Sequence, residues 1–155
     1  CQCRTGYTGN GHVCTDYDEC SHNVFTCDSN ADCINSIGSY TCQCQTGYTG
    51  YGQTCTDVDE CSLGTYTCNV NADCINTGGS YSCQCRSGYN GNGKSCIRVS
   101  CGNPGSPRHG YKSGSSYTVG STVYFYCYYG YYNWGASSTT CQSNGAWSNP
   151  TPYCF

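Results

Sequence analysis

The chain has 155 residues, of which 19 are cysteines and only 10% are charged, and its formal net charge is −3. This composition is typical of small disulfide-held scaffolds and argues against one large apolar core. Disulfides persist in oxidising compartments, which excludes the reducing cytosol, so we expect an extracellular protein, either secreted or at the cell surface. No apolar run approaches the roughly 20 residues that span a bilayer, so no transmembrane segment is predicted. The chain has no basic cluster, which argues against nucleic acid as a partner.

A repeat of 41 residues organises the first two thirds of the chain. Six cysteines recur at this offset without insertions, and Cys55 returns once more as Cys96. The recurring pairs are Cys14 and Cys55, Cys20 and Cys61, Cys27 and Cys68, Cys33 and Cys74, Cys42 and Cys83, and Cys44 and Cys85. A fixed period of this size predicts an array of identical units, each in contact mainly with its neighbours.

The order of cysteines within a unit, with Gly47-Tyr48 before the last of them, resembles the EGF-like family. Spacing alone leaves 15 connectivities open for six cysteines. The resemblance implies that the first cysteine pairs with the third, the second with the fourth and the fifth with the sixth. The implied bonds are Cys20 to Cys33, Cys27 to Cys42, Cys44 to Cys55, Cys61 to Cys74, Cys68 to Cys83, and Cys85 to Cys96.

Residues 1–14 match only the second half of such a unit, with Cys3 and Cys14 as its last pair. Cys1 is then left without a partner. Either the sequence is a piece of a longer protein, or Cys1 forms an intermolecular disulfide, as odd cysteines of secreted proteins can do.

Two acidic clusters, residues 16–19 and 57–60, stand just before the complete units and hold six of the nine acidic residues. Like charges this close repel each other, and a hard cation such as Ca²⁺, which takes six to eight oxygen ligands, relieves the repulsion. Each unit also carries a second element, Cys-x-Asn-x-x-x-x-Tyr-x-Cys, which begins at Cys33 or Cys74. The two elements together resemble calcium-binding EGF modules, and an EF-hand loop is excluded because its spaced acids are absent. We therefore expect two Ca²⁺ sites.

The resemblance implies three side-chain ligands and three backbone carbonyl ligands for each site. The first site comprises Asp16, Glu19 and Asn35 with the carbonyls of Tyr17, Ser36 and Ser39. The second comprises Asp57, Glu60 and Asn76 with the carbonyls of Val58, Thr77 and Ser80. Asn35 and Asn76 also fit the family's β-hydroxylation pattern, and Thr8 and Thr49 come near an O-GlcNAc pattern.

The predicted metal lies at the junction of two modules, because a single residue separates the last cysteine of one unit from the first ligand of the next. There we expect it to fix one module against its neighbour. The resemblance further implies that the tyrosine of the preceding Gly-Tyr, Tyr7 or Tyr48, packs on the following hairpin near Ile37 or Gly78.

A different module begins at Cys101, where the cysteine spacing changes. Its four cysteines, the opening Cys101-Gly102-Asn103-Pro104, and Gly145-Ala146-Trp147 before Cys154 resemble the complement-control (sushi) family. The resemblance implies a small β-sandwich with Trp147 in its core. It also implies disulfides between Cys101 and Cys141 and between Cys127 and Cys154.

Nine of the 17 tyrosines lie in this last module, beside only two charged residues. The run 123–129 predicts a strand because it is rich in β-branched and aromatic residues. Since Cys127 must point inward to its disulfide, alternation sends Val123 and Phe125 inward. Three tyrosines then face outward, Tyr124, Tyr126 and Tyr128. Either neighbouring strands cover this row or it forms a contact surface, for which tyrosine is well suited.

The fold class predicted from these features is a small disulfide-rich β protein, with EGF-like hairpin modules in a rod and one sushi-type β-sandwich. The predicted domains are half a module (1–14), two calcium-binding EGF-like modules (15–55 and 56–96), a linker (97–100) and a sushi module (101–155). No catalytic residues are expected, because the three histidines lie in separate modules and the cysteines are committed to disulfides. Two functions fit: a calcium-stiffened structural or adhesive segment that binds proteins, among them copies of itself in a fibre or filament, or a recognition segment of a receptor, ligand or complement-type regulator.

Overall fold

The computed structural model describes residues 1–155 and consists of short antiparallel strands joined by turns. The strands of the repeat region are β1 (Tyr7–Gly9), β2 (Cys14–Asp16), β3 (Ala31–Ser36), β4 (Ser39–Cys44), β5 (Tyr48–Gly50), β6 (Cys55–Asp57), β7 (Ala72–Thr77), β8 (Ser80–Cys85), β9 (Tyr89–Gly91) and β10 (Cys96–Arg98). The last module contains β11 (Gly110–Ser113), β12 (Thr122–Cys127), β13 (Asn133–Trp134), β14 (Ser138–Thr140) and β15 (Tyr153–Cys154). The helix α1 (Glu60–Leu63) has only four residues, and no helix is long and apolar enough to cross a membrane.

The chain divides into two compact units. The first contains Cys1–Tyr66 and Asn76–Ser82, and the second contains Thr67–Ile75 and Cys83–Phe155. The tip of the hairpin formed by β7 and β8 thus belongs to the first unit.

Each complete repeat folds into a long hairpin followed by a short one, β3–β4 with β5–β6 and β7–β8 with β9–β10. In the first long hairpin Asn35 lies opposite Tyr40, and Ser36 lies opposite Ser39. The turn between them needs a glycine, because Gly38 has a φ of 78°, a conformation that residues with a side chain rarely adopt.

Disulfides hold the repeats together, because the only buried apolar side chains there are those of Cys55, Ala72 and Cys96. The bonds join Cys3 to Cys14, Cys20 to Cys33, Cys27 to Cys42, Cys44 to Cys55, Cys68 to Cys83, and Cys85 to Cys96. Cys61 and Cys74 are disulfide-bonded as well. These six pairings are the ones that the resemblance to EGF-like modules implies. Loops of this length contribute on the order of 3 kcal/mol each by restricting the unfolded chain.

The last module has a three-stranded sheet, β11–β12–β14, and a two-stranded ribbon, β13–β15. Its disulfides join Cys101 to Cys141 and Cys127 to Cys154. Val123, Phe125 and Thr139 form the buried core with Cys141 and Cys154. The prediction of a small disulfide-rich β fold is therefore confirmed.

The expectation that Trp147 belongs to this core is wrong, because its side chain is only partly buried. The indole Nε1–H donates a hydrogen bond of 3.1 Å to the carbonyl of Gly102, and the ring meets Tyr117 edge-on. This hydrogen bond holds the indole near the surface of the module, outside the buried core.

Candidate calcium sites and interaction surface

The first predicted site is built around Asp16 at the end of β2. Its carboxylate accepts a hydrogen bond of 2.8 Å from Nδ2 of Asn35 and one of 2.5 Å from the backbone N–H of Gly38. The structure therefore brings a carboxylate and an amide from the two sequence elements, 19 residues apart, into direct contact.

The second site repeats this geometry one period later. The carboxylate of Asp57 accepts a hydrogen bond of 2.7 Å from Nδ2 of Asn76 and one of 2.6 Å from the N–H of Gly79. The same two contacts at both sites indicate that the arrangement belongs to the repeat.

Glu19 and Glu60 provide the test of whether these sites fit a cation. Each has one carboxylate oxygen, Oε2, that is buried and has no hydrogen-bond partner, and these two are the only buried side-chain polar atoms without a partner. A buried unpaired oxygen costs about 1–3 kcal/mol, and more when it carries charge. The unpartnered atoms are on the two glutamates predicted as ligands, so the donor set fits a hard cation such as Ca²⁺.

The middle acids of the clusters, Asp18 and Asp59, each accept hydrogen bonds from a serine three residues later. Asp59 caps α1 by accepting hydrogen bonds from the backbone N–H and the hydroxyl of Ser62, at 2.9 and 2.6 Å. Asp18 accepts from the backbone N–H of Ser21 at 3.0 Å. These bonds lower the pKa of both carboxyl groups, because they favour the charged form.

The backbone ligands predicted next to these acids are tied to the preceding module. The N–H of Tyr17 donates to the carbonyl of Gly6, and the N–H of Val58 donates to that of Gly47, both at 2.9 Å. A cation held by the adjacent carbonyl of Tyr17 or Val58 would therefore restrain the junction itself. The remaining predicted carbonyls flank the hairpin turns, where the hydroxyl of Ser36 donates to Ser39 O and that of Thr77 donates to Ser80 O.

Each junction also contains a close approach that only glycine permits. A Cβ on Gly38 would lie 2.9 Å from the ring of Tyr7, and one on Gly79 would lie 2.6 Å from the ring of Tyr48. The expected packing of these tyrosines on the next hairpin is thus confirmed. Tyr7 meets Gly38, the neighbour of the predicted Ile37. The hydroxyl of Tyr48 also lies 3.3 Å from the Cβ position of the predicted Gly78.

The junction before the last module keeps the backbone bond and loses the acid. Val99 N–H donates to Gly88 O at 2.9 Å, in register with the two junctions above, but Arg98 stands where the repeat has Asp16 and Asp57. Here the last module supplies the contacts: Val119 packs on Gly88, and its N–H donates to Val99 O at 3.0 Å.

The tyrosine row on β12 and directly after it is exposed, with 51% of Tyr124, 45% of Tyr126 and 54% of Tyr128 accessible to solvent. Val123 and Phe125 are buried, so the predicted assignment of faces is confirmed. Sequence reasoning missed a fourth member, Tyr111. Its ring stacks on Tyr126 and Tyr128, with centroids 5.1 and 6.0 Å apart, because β11 pairs with β12. These four residues are called the tyrosine face below.

The predicted modification positions Thr8, Thr49, Asn35 and Asn76 are all exposed. Cys1 is exposed as well and has no disulfide partner within residues 1–155.

The fold, its disulfides and the repeated junction define a class of protein, the extracellular proteins built from small disulfide-held modules. The family described as EGF domain matches residues 20–55, the calcium-binding EGF domain matches residues 57–96, and the Sushi repeat (SCR repeat) matches residues 101–154. The chain is therefore a tandem of EGF-like modules, one of them matching the calcium-binding type, followed by a sushi module.

Similar proteins share single segments of this architecture. The chain is 52% identical over 56 residues to sushi domain-containing protein 2 of Homo sapiens, which covers 36% of this chain and 7% of that protein. It is 43% identical over 54 residues to the C4b-binding protein beta chain of Homo sapiens, covering 35% and 21%. It is 48% identical over 44 residues to uromodulin of Mus musculus, covering 26% and 6%. The chain thus spans about a fifth or less of the length of these relatives. Its EGF and sushi modules, together with these relatives, make it an extracellular protein-interaction segment.

Proposed function

We propose that the chain is a non-catalytic adhesive segment that binds calcium at two junctions and associates with copies of itself through its sushi module. Calcium sets the stiffness of the segment, and the tyrosine face supplies the contact. The observation that carries the proposal is the pairing of two junction sites of the same geometry with an uncharged aromatic surface.

Two binding sites are supported by the buried oxygens of Glu19 and Glu60 and by the match of residues 57–96 to the calcium-binding family. Extracellular modules bind Ca²⁺ at about 10⁻⁴ to 10⁻³ M, so the ion is worth only about 1.4 kcal/mol per site at tenfold excess. This is enough to restrain a hinge, and we expect chelation to loosen both junctions. Small-angle scattering that stays unchanged after chelation would contradict the stiffening role.

Self-association is supported by the tyrosine face and by the charge distribution. No acidic residue follows Asp73, and the sushi module carries only Arg108 and Lys112. The ammonium group of Lys112 is engaged by the hydroxyl and ring of Tyr117. Copies of this module therefore repel each other little, while their stacked tyrosines offer apolar area and hydroxyl groups to a partner.

The test compares the wild-type chain with a variant in which Tyr124, Tyr126 and Tyr128 are replaced by threonine, which preserves β propensity. Sedimentation equilibrium and electron microscopy in calcium measure assembly, and we expect the variant to associate at least about tenfold more weakly. The control is Tyr51→Ser, because Tyr51 is equally aromatic, fully exposed and far along the chain from the tyrosine face. A wild-type chain that stays monomeric at high concentration refutes the proposal.

A second candidate is a recognition segment that binds a different protein. Its support is the similarity to C4b-binding protein beta chain, whose name states that it binds C4b. The same sedimentation experiment separates the two candidates, because a recognition segment remains monomeric in the absence of its partner.

A further inference from the structure

The ribbon formed by β13 and β15 presents four large aromatic side chains on one face. Trp134 lies opposite Tyr153, and the ladder continues with two backbone hydrogen bonds, at 2.8 and 3.1 Å, between Tyr132 and Phe155. Side chains alternate along a strand, so Tyr132 and Trp134 point the same way, as do Tyr153 and Phe155. Cys154 fixes the direction, since it is buried in its disulfide and sends its two neighbours outward.

These four residues, called the aromatic quartet, are among the most exposed large side chains of the module. Their accessible fractions are 77% for Tyr132, 68% for Trp134, 67% for Tyr153 and 68% for Phe155. Soluble proteins seldom leave a contiguous apolar patch of this kind uncovered unless it binds something. The quartet shares no residue with the tyrosine face, which lies on the other sheet.

We propose that the aromatic quartet is a second self-association surface and that it binds the quartet of a second copy. The inference rests on the proposed self-association and adds a surface to it. On the exposed face of the ribbon, the rungs Trp134–Tyr153 and Tyr132–Phe155 each carry a ring from both strands. Two quartets that meet face to face therefore place ring against ring whichever way the strands run. A patch that complements itself in this way is what a two-fold contact requires.

The area agrees with a contact of moderate strength. An aromatic side chain buries about 150–250 Å² in full, so four that are roughly two-thirds exposed offer on the order of 400–700 Å² per partner. A standard interface buries about 800 Å² per partner, and weak ones bury less. Pro150 and Pro152 line a groove beside Trp134 and Tyr153, and the exposed Pro150 adds apolar area at its edge.

The absence of charge favours a second copy over an unlike, charged partner. None of the four side chains is ionised at neutral pH, and the only charged side chains of the module are those of Arg108 and Lys112. Two copies therefore meet here without burying a charged side chain, and a charged partner would find no complementary side chain in the quartet. With two surfaces on different sheets, a chain joins two others, so assembly continues as an open chain instead of stopping at a dimer.

The test is sedimentation equilibrium of the full chain in calcium, with a quartet variant that combines Trp134→Thr and Tyr153→Thr. We expect self-association to weaken at least about tenfold, because central aromatic residues dominate such contacts. A conservative variant, Trp134→Phe with Tyr153→Phe, should remain within about threefold of wild type because it keeps the rings. The matched control is Tyr51→Ser with Tyr129→Ser, which removes the two most exposed tyrosines of the chain and leaves both surfaces intact.

The outcomes separate this inference from the proposed function. If the wild-type chain associates and the quartet variant associates equally well, with its disulfides correctly paired, the quartet is refuted and self-association stands. If the wild-type chain remains monomeric, both proposals fail and the quartet is left to an unlike partner. If the quartet variant stops at dimers while the wild type forms longer assemblies, the two-surface scheme is supported.

Discussion

Replacement of Glu60 by glutamine separates two effects at the second proposed calcium site. One is the unfavourable free energy of a buried charge without calcium, and the other is the binding energy that the charge contributes with calcium. Glu60 has a buried carboxylate oxygen without a partner, whereas Asp57 and Asn76 already bind each other at 2.7 Å. Without calcium the buried charge is unfavourable, and glutamine has the same shape without the charge. With calcium the charge is a ligand, and its loss removes binding energy.

The change in the free energy of unfolding caused by the substitution should therefore differ in sign between calcium and EDTA. In calcium at tenfold excess the variant should lose the roughly 1.4 kcal/mol that binding contributes to the free energy of unfolding. In EDTA it should be as stable as the wild type or more stable, by up to about 1 kcal/mol. Urea unfolding in both conditions measures the two differences, and titration calorimetry should count one calcium ion instead of two.

The matched control is Asp32→Asn, because it removes the same charge from an exposed acid outside both clusters. It should leave the stoichiometry at two ions. If Glu60→Gln still binds two ions with unchanged affinity, or destabilises the chain equally in EDTA and in calcium, the assignment of Glu60 is wrong.

Two further predictions concern the junction and the response to acid. Gly79→Ala should weaken calcium binding at the second site and destabilise the chain by about 1–3 kcal/mol, since its Cβ would lie 2.6 Å from the ring of Tyr48 and its φ is 76°. Gly105→Ala in the sushi module is the control, with a similar φ of 80° and no neighbour within 4 Å, so it should cost less and leave calcium titrations unchanged. The pKa of Asp28 is lowered by hydrogen bonds from the N–H groups of Asn30 and Cys55, so its stabilising effect is present above the unfolded pKa of 3.8 and is lost as pH falls through the folded value. Asp28→Asn should make the free energy of unfolding in EDTA less dependent on pH below about pH 4, and an unchanged pH dependence would contradict this. Asn69, one repeat later, already accepts the corresponding N–H bond as a neutral amide.

The features that the sequence predicts well are those that rest on a repeat. The 41-residue period predicts the modules and their hairpins. The resemblance it supports implies the disulfides and brings Asp16 and Asp57 to Asn35 and Asn76. Alternation around Cys127 correctly predicts which side of β12 is buried.

The features that the sequence did not predict depend on which strands pair. Tyr111 joins the tyrosine face only because β11 lies beside β12, and its sequence neighbours give no sign of this. The quartet was missed for the same reason, since Trp134 and Tyr153 are 19 residues apart and meet only through the ribbon. Trp147 was assigned to the core on family grounds, and its hydrogen bond to Gly102 lies outside any sequence pattern.

The three junctions together indicate where calcium can act on this chain. All three share one backbone bond, from residue 17, 58 or 99 to the glycine carbonyl of the preceding module, each at 2.9 Å. At the first two, the side chain next to this bond is Asp16 or Asp57, which belongs to a proposed calcium site. At the third it is Arg98, and Val119 N–H of the sushi module donates to Val99 O at 3.0 Å. We therefore expect calcium to act at the two junctions that carry Asp16 and Asp57, and not at the third.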